Sequence, residues 1–270
     1  MSELRRLLES VRPTPQRPLV VLTGAGISAA SGIPTFRGPE GYWTVGSEVF
    51  HPQDMATYAA FSQMPREVWR WYLWRRGVCR AADPNPAHEQ LVAWERRLGD
   101  GFALVTQNVD GLHARAGNTW ERTFEVHGSI DRMRDLSTDE VIDIPEDLVV
   151  ADRDAELPDD VYDQLVNPDT GERCRPHVLW FDEVYDEENF RFYTAMERAT
   201  RASIFVVCGT SGAAAVPYAA MTAAESAGAV LVDVSPDDNP FREIVRRHKR
   251  GCAIEAVAVD GLARIAEIIG

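Results

Sequence analysis

The sequence has almost no lysine: Lys249 is the only one among 28 basic residues, and the rest are arginine. Cysteine is scarce too. Cys79, Cys174, Cys208 and Cys252 are widely separated and form no Cys-x-x-Cys pair, which signals neither a disulfide framework nor a zinc finger and fits a reducing cytoplasm. No apolar run approaches the ~18 residues of a membrane span, and Met1-Ser2-Glu3-Leu4-Arg5-Arg6 lacks the apolar core of an export signal, so neither membrane insertion nor export is expected. Positive charge is in deficit. With 42 acidic against 28 basic residues the formal charge is −14, and a nucleic-acid backbone would be repelled by the average surface. The 19 Gly, 16 Pro and 45% hydrophobic residues exclude collagen-like, low-complexity and wholly disordered chains. What remains is a folded protein of 270 residues, long enough for one large domain or two smaller ones.

Apolar runs bounded by turn residues occur at 19–23, 102–106, 204–208, 230–234 and 253–257, with helix-like periodicity between several of them. This alternation predicts an α/β fold, a mostly parallel sheet covered by helices on both faces. A simple strand-helix-strand unit takes about 30 residues, yet the run after Thr23 begins only at Phe102, so something is inserted. Residues 37–84 read as loop plus helices, one of them carrying Trp69, Trp71, Tyr72 and Trp74. A second irregular stretch, 130–177, holds the charge: between Asp135 and Glu172 stand fourteen acidic residues and one arginine, Arg153. That run reads either as a solvated face or as a field that draws in cationic, lysine-bearing substrates.

Gly24-Ala25-Gly26-Ile27-Ser28-Ala29 follows an apolar strand and leads into a small-residue segment able to start a helix. This is the context of a phosphate-binding glycine loop, although the same glycines also suit a tight turn alone. No second strand ending in an acidic ribose ligand follows, as an ordinary nicotinamide dehydrogenase requires. Instead Ser31-Gly32-Ile33-Pro34-Thr35-Phe36-Arg37-Gly38 comes next. Downstream, Thr106-Gln107-Asn108-Val109-Asp110-Gly111-Leu112-His113, Val126-His127-Gly128-Ser129 and Gly209-Thr210-Ser211-Gly212 each lie at the end of an apolar run. Strand ends are where ligands bind in an open α/β sheet, so these groups are expected to converge on one crevice.

Taken in this order, the glycine loop and the blocks after it resemble the sirtuins, NAD-dependent protein lysine deacylases, over Leu19 to Asp233. The resemblance implies a Rossmann-type NAD-binding domain from 1–36, 85–129 and 178–270, with a smaller domain formed by a helical insertion, 37–84, and an acidic one, 130–177. By matching position, Gly24, Ala25, Gly26, Ser28, Phe36, Arg37, Gln107, Gly209, Thr210 and Ser211 would line the NAD site. Asn108 and Asp110 would sit at the nicotinamide end, and Asp233 and Ala253 complete the cofactor set. His127 resembles the catalytic base, with Asn108 beside it; a histidine takes a proton near neutral pH. The implied partners are acyl-lysine proteins or peptides, and the products free lysine, nicotinamide and O-acyl-ADP-ribose. His51, His88, His113, His177 and His248 are expected to be packing or solvent residues.

Tyr72 and Arg75 stand three apart, on one helical face, and resemble the Tyr-x-x-Arg pair of the subgroup that removes succinyl, malonyl or glutaryl groups. A phenol and a guanidinium suit a substrate carboxylate. Val178 and Phe181 belong to what resembles the substrate strand, where Asp182 replaces the usual glycine and a side chain would crowd the peptide. Most sirtuins bind a structural zinc through two cysteine pairs; here Asp135 stands about where the first begins and only Cys174 lies in the region. One thiol cannot build a tetrahedral site. No metal is therefore expected, and Val141, Ile142, Ile144, Leu148 and Leu165 are expected to hold the small domain. Asp182 and the missing cysteines keep two further readings open, an ADP-ribosyltransferase or NAD hydrolase and a non-catalytic NAD sensor.

Overall fold

The computed structural model describes residues 3–33, 54–152, 155–212 and 214–270, with the backbone of 43–45, 48–50 and 52–53. In chain order the elements begin with α1 (Glu3–Glu9), β1 (Leu19–Thr23), the short hairpin β2 (Trp43–Val45) and β3 (Glu48–Phe50), α2 (Pro52–Met55), α3 (Tyr58–Gln63), α4 (Pro65–Ala81) and α5 (Pro86–Leu98). The middle holds β4 (Phe102–Thr106), α6 (Leu112–Ala116), β5 (Thr123–Glu125), β6 (Gly128–Asp135), β7 (Val141–Asp143), α7 (Asp159–Asp163) and β8 (Cys174–Val178). The chain closes with α8 (Phe192–Thr200), β9 (Ile204–Cys208), α9 (Ala215–Ser226), β10 (Val230–Ser235), α10 (Pro240–Arg247), β11 (Gly251–Glu255) and α11 (Ala258–Ile269).

Six parallel strands form one sheet in the order β11-β10-β9-β1-β4-β5. Successive side chains of a strand point to opposite faces, and both faces of β1 are apolar. Leu19 and Val21 pack with α1, α5 and α11 through Leu8, Trp94 and Leu262. Val20 and Leu22 pack with α8, α9 and α10 through Ala199, Met221 and Phe241. Thr23 pairs with Thr106 on one side and Cys208 on the other, so the three loops that carry the motifs leave the sheet side by side.

A second sheet, β7-β6-β8, is antiparallel and packs with α3 and α4 around Trp69, Leu73, Met133 and Trp180. Proline at its first position starts α4. Asn85 caps α5 in a capping box with His88, which breaks the chain between the two helices. Ile144, Leu148 and Leu165 are buried in this second core while Val141 and Ile142 are half-buried. Four arginines of α4 add a polar seam. Arg66 reaches Asp159 and the Leu157 carbonyl, Arg70 the Ala155 carbonyl, Arg80 reaches Asp131 and Glu146, and Arg76 binds Asp131 and three carbonyls. The acidic stretch is thus tied down by this helix as well as solvated.

Two expectations need correcting. The last strand runs 251–255 and not 253–257: at Gly251 a Cβ would stand 1.9 Å from the Val245 carbonyl oxygen, so glycine opens the strand, and Val257 caps α11. The segment after the glycine loop is not an α-helix but two 3-10 turns, Ala25–Ile27 and Ala29–Ser31, closed by Gly32 at φ +81°. No described helix is long and apolar enough to cross a membrane.

Candidate active site

The glycine loop packs directly onto the loop after β9. A Cβ on Gly24 or Gly26 would stand 2.7–2.8 Å from atoms of Thr210 and Gly209, and one on Gly209 would stand 2.6 Å from the Ile27 nitrogen. The Gly24 amide donates to the Cys208 carbonyl and that of Gly26 to Gly209. Glycine is required here first for loop-on-loop contact. Gln107 closes the same wall by donating to the Thr210 hydroxyl at 3.0 Å, and Ser211 is exposed beyond it.

At the other end of the loop the polar groups are buried and bonded in sequence. Asn108 Nδ2 donates to the Gly24 carbonyl and to Ser28 Oγ, each at 3.2 Å, and Ser28 donates to Asp110 Oδ2 at 2.6 Å. Asp110 Oδ1 accepts the Leu112 amide, and Gly111, at φ +72°, permits that turn. The Asn108 amide of the main chain donates to Thr106 Oγ1, which belongs to a buried chain running through the Thr23 hydroxyl to His113 Nε2. With both side-chain amide protons committed, Asn108 is oriented before any ligand arrives.

His127 follows β5 and is half-buried. Its Nδ1 lies 3.0 Å from the Gln107 carbonyl oxygen and its Nε2 2.9 Å from the Tyr185 hydroxyl. Desolvation pulls its pKa down to about 4 against the opposing effect of the Gln107 carbonyl. The ring is therefore a neutral base at physiological pH. Gly128 next to it adopts φ +82°, and a Cβ there would meet the His177 carbonyl at 2.1 Å. That close approach lets Gly128 pair with Val178, and the Leu179 amide donates to the His127 carbonyl, so the base is stitched to the neighbouring strand β8.

Val178 is buried at that seam and Phe181 is exposed. Asp182, expected to crowd the peptide, turns its carboxylate onto α3: its two oxygens accept the Tyr58 and Ala59 amides at the start of that helix, where a carboxylate meets free helix donors. Glu183 anchors the same turn through Arg175 and the Trp180 amide. Tyr72 is buried, its hydroxyl accepts from Trp180 Nε1 at 2.9 Å, and desolvation raises its pKa. Arg75 is half-buried and lies over the Trp71 ring.

At the far end Asp233 is 2% exposed, and its carboxylate already accepts from Asn239 and Arg242. Burial raises its pKa against those partners. Ala253 pairs with it across β10 and β11. Phe36, Arg37 and His51 lie outside the described residues. His88, His113 and His177 are buried packing residues, and Trp69 is buried with its indole bonded to the Cys174 carbonyl. Sequence reasoning passed over Tyr185, Trp180, Thr23 and Thr106. The two threonines close apolar strands and carried a signal in that position; nothing in the order of residues singled out Tyr185.

A model of the Sir2 family matches residues 24–216. The chain is 39% identical over 266 residues to an NAD-dependent protein deacylase of Thermus thermophilus, covering 96% of this chain and 93% of that one. It is 39% identical over 236 residues to the NAD-dependent protein deacylase of Aeropyrum pernix, covering 87% and 88%. Among solved structures, a Sir2 homologue in complex with NAD superposes with a TM-score of 0.77 at 30% identity, covering all of this chain and 94% of the other. A Sir2–p53 peptide–NAD+ complex gives 0.72 at 28% identity, covering 99% and 97%.

Proposed function

Because the chain belongs to the Sir2 family, we propose that it is an NAD-dependent protein lysine deacylase. The observation that carries the reading is the placement of a neutral His127 beside β8, with its Nδ1 on the carbonyl of Gln107, the residue before the oriented Asn108 amide. NAD supplies the leaving nicotinamide and the ribose that receives the acyl group, so that free lysine and O-acyl-ADP-ribose result. Gly24, Ala25, Gly26, Gln107, Gly209, Thr210 and Ser211 form the wall for the cofactor, with Phe36 and Arg37 assigned to it from sequence alone. Ser28, Asn108 and Asp110 present a dry, preordered polar surface to the nicotinamide end, which keeps stray water from the reacting carbon. His127 takes the proton of the ribose hydroxyl at Nε2. Asp233, buried and bonded inward, supports the adenosine end through Asn239 and Ala253 more than through a free lone pair.

The same reading divides the chain into the NAD-binding body of 1–36, 85–129 and 178–270 and the insertions 37–84 and 130–177, which share the core around Trp69 and Met133. Succinyl and malonyl groups are favoured over acetyl. Arg75 supplies the charge for a substrate carboxylate, and Tyr72, which accepts from Trp180 and keeps its own proton, supplies a donor beside it.

The residues do not fit the zinc that the family implies. Asp135 accepts from the Ser137 amide and hydroxyl, the Thr138 amide and the Thr170 hydroxyl, bonds that hold its carboxyl well below the usual range. Cys174 is the one thiol of this region, and a single thiol cannot build a tetrahedral zinc site. A hydrogen-bonded knot joins the 135–138 and 167–170 turns instead. Elemental analysis is expected to find no stoichiometric zinc, and chelator treatment to leave Tm unchanged while Thr170→Val lowers it; a chelator-sensitive Tm refutes the knot.

The deciding experiment incubates the protein with NAD and matched acetyl-, succinyl- and unmodified lysine peptides and identifies the products by mass. O-succinyl-ADP-ribose is expected to dominate, to vanish in His127→Ala, and to fall far more than the acetyl product in Arg75→Met. Equal losses in Arg75→Met remove the carboxylate role. Free ADP-ribose or modified protein in place of the acyl product supports the hydrolase or transferase reading.

A further inference from the structure

Tyr185 lies in none of the sequence motifs and stands in the irregular stretch between β8 and α8. Its ring faces the His127 imidazole with centroids 5.8 Å apart and planes 30° apart, and it also stacks on Phe192 at 4.7 Å and 24°. Packing on Phe192 holds the phenol where its oxygen is 2.9 Å from Nε2. The tautomer follows from the partner on the other nitrogen. A carbonyl oxygen only accepts, so Nδ1 facing Gln107 carries the ring proton and Nε2 is the acceptor. The phenol is then the donor, and desolvation pushes its own pKa up to about 12, so it keeps that proton.

From these contacts we propose that Tyr185 is a positioning residue of the catalytic centre: while the Gln107 carbonyl fixes the Nδ1–H tautomer of His127, the phenol donates to Nε2, clamps the neutral ring from the other side and covers that nitrogen until a substrate hydroxyl takes its place. Only the identity of that hydroxyl rests on the deacylase reading; the clamp belongs to the protein alone. The groups that meet the ring among the described residues are the Gln107 backbone beyond β4 and the Tyr185 phenol before α8. Glu125, two residues earlier on β5, is paired with Arg132. A donor to the neutral ring stabilises the neutral form, so removing it lets the ring take a proton more easily.

Tyr185→Phe keeps both stacking contacts and drops the donor. The test is NMR of 15N-histidine-labelled protein without NAD, at a series of pH values. In the parent protein His127 is expected as a single Nδ1–H tautomer that titrates only near its value of about 4. In Tyr185→Phe it is expected to keep the Nδ1–H tautomer, which the Gln107 carbonyl fixes, and to titrate at higher pH, with the acid limb of kcat/KM for acyl-peptide moving up by the same amount. A Tyr185→Phe protein whose His127 keeps the parental titration overturns the proposal, and so does an acid limb that stays put while the ring titration moves. If no form turns over acyl-peptide, the deacylase reading falls while the NMR series still decides the clamp.

Discussion

Arg76→Ala is expected to cost about 3–5 kcal/mol, because it leaves three buried carbonyls without their donor and Asp131 with Arg80 as its remaining partner. Arg76 is 1% exposed, and its guanidinium spreads over four acceptors: Asp131 at 2.8 Å and the Pro145, Leu148 and Ile144 carbonyls at 2.9, 2.7 and 3.2 Å. Burial lowers its pKa, and Asp131 holds the charge in place. Arg76→Lys is expected to recover only part of the loss, since one ammonium cannot reach acceptors fanned around a planar fork. Arg201→Ala, which removes an exposed surface pair with Glu197, serves as the control and is expected to change stability by less than about 1 kcal/mol. Urea midpoints for the three variants decide it, and an Arg76→Ala midpoint equal to that of Arg201→Ala rules out the clamp.

The folded protein is expected to lose stability steeply as the pH falls below about 6, above the range in which ordinary carboxylates take up protons. His88, His113 and His177 are at most 3% exposed, and desolvation is the main cause of low pKa values in all three: about 4 for His88, about 3 for His177, and well below the usual value for His113. At His113 the His88 ring facing it at 4.9 Å adds to the effect, and at His177 the nearby Arg132, Arg134 and Arg175 do, whereas Asp110 opposes it at His88. In the unfolded chain each titrates near its ordinary value of about 6.5. The unfolded state therefore binds more protons than the folded one below that value. The stability conferred by keeping the rings neutral is complete above about pH 6.5 and is lost as pH falls toward the folded values, at up to about 1.4 kcal/mol per pH unit for each ring. Unfolding free energies measured at pH 7, 6 and 5 are expected to fall steeply over the second interval. A flat profile from 7 to 5 shows that the three rings are charged or solvated in the folded protein.

The parallel sheet and the convergence of its loops were legible because both rest on local order: unbroken apolar runs ending in Thr-Gly, Thr-Gln and Cys-Gly. The two tight turns after the glycine loop were not legible. Ser28 and Ser31 spend their hydroxyls on Asp110 and Asn85, partners 82 and 54 residues away, and those bonds favour tight turns over a continuous helix. Asp182 looked obstructive because a side chain replaced a glycine, yet its outcome depended on where α3 begins, 124 residues earlier. The arginine seam of α4 and the Asp135 knot share that dependence. Each joins groups whose sequence spacing has no period, so only the folded chain brings them together.

Gly24, Gly26 and Gly209 occupy one another's side-chain space, and this bears on how such a chain diverges over time. Because any one methyl group would push two loops apart, the three positions drift as a single unit although some 185 residues separate the first from the last. A lineage that abandoned the catalytic chemistry would still retain all three, and a lineage that lost one would be expected to have rebuilt both loops. Retention of these glycines in a distant relative is therefore a record of inherited architecture, whereas the fate of His127 is the record of inherited activity.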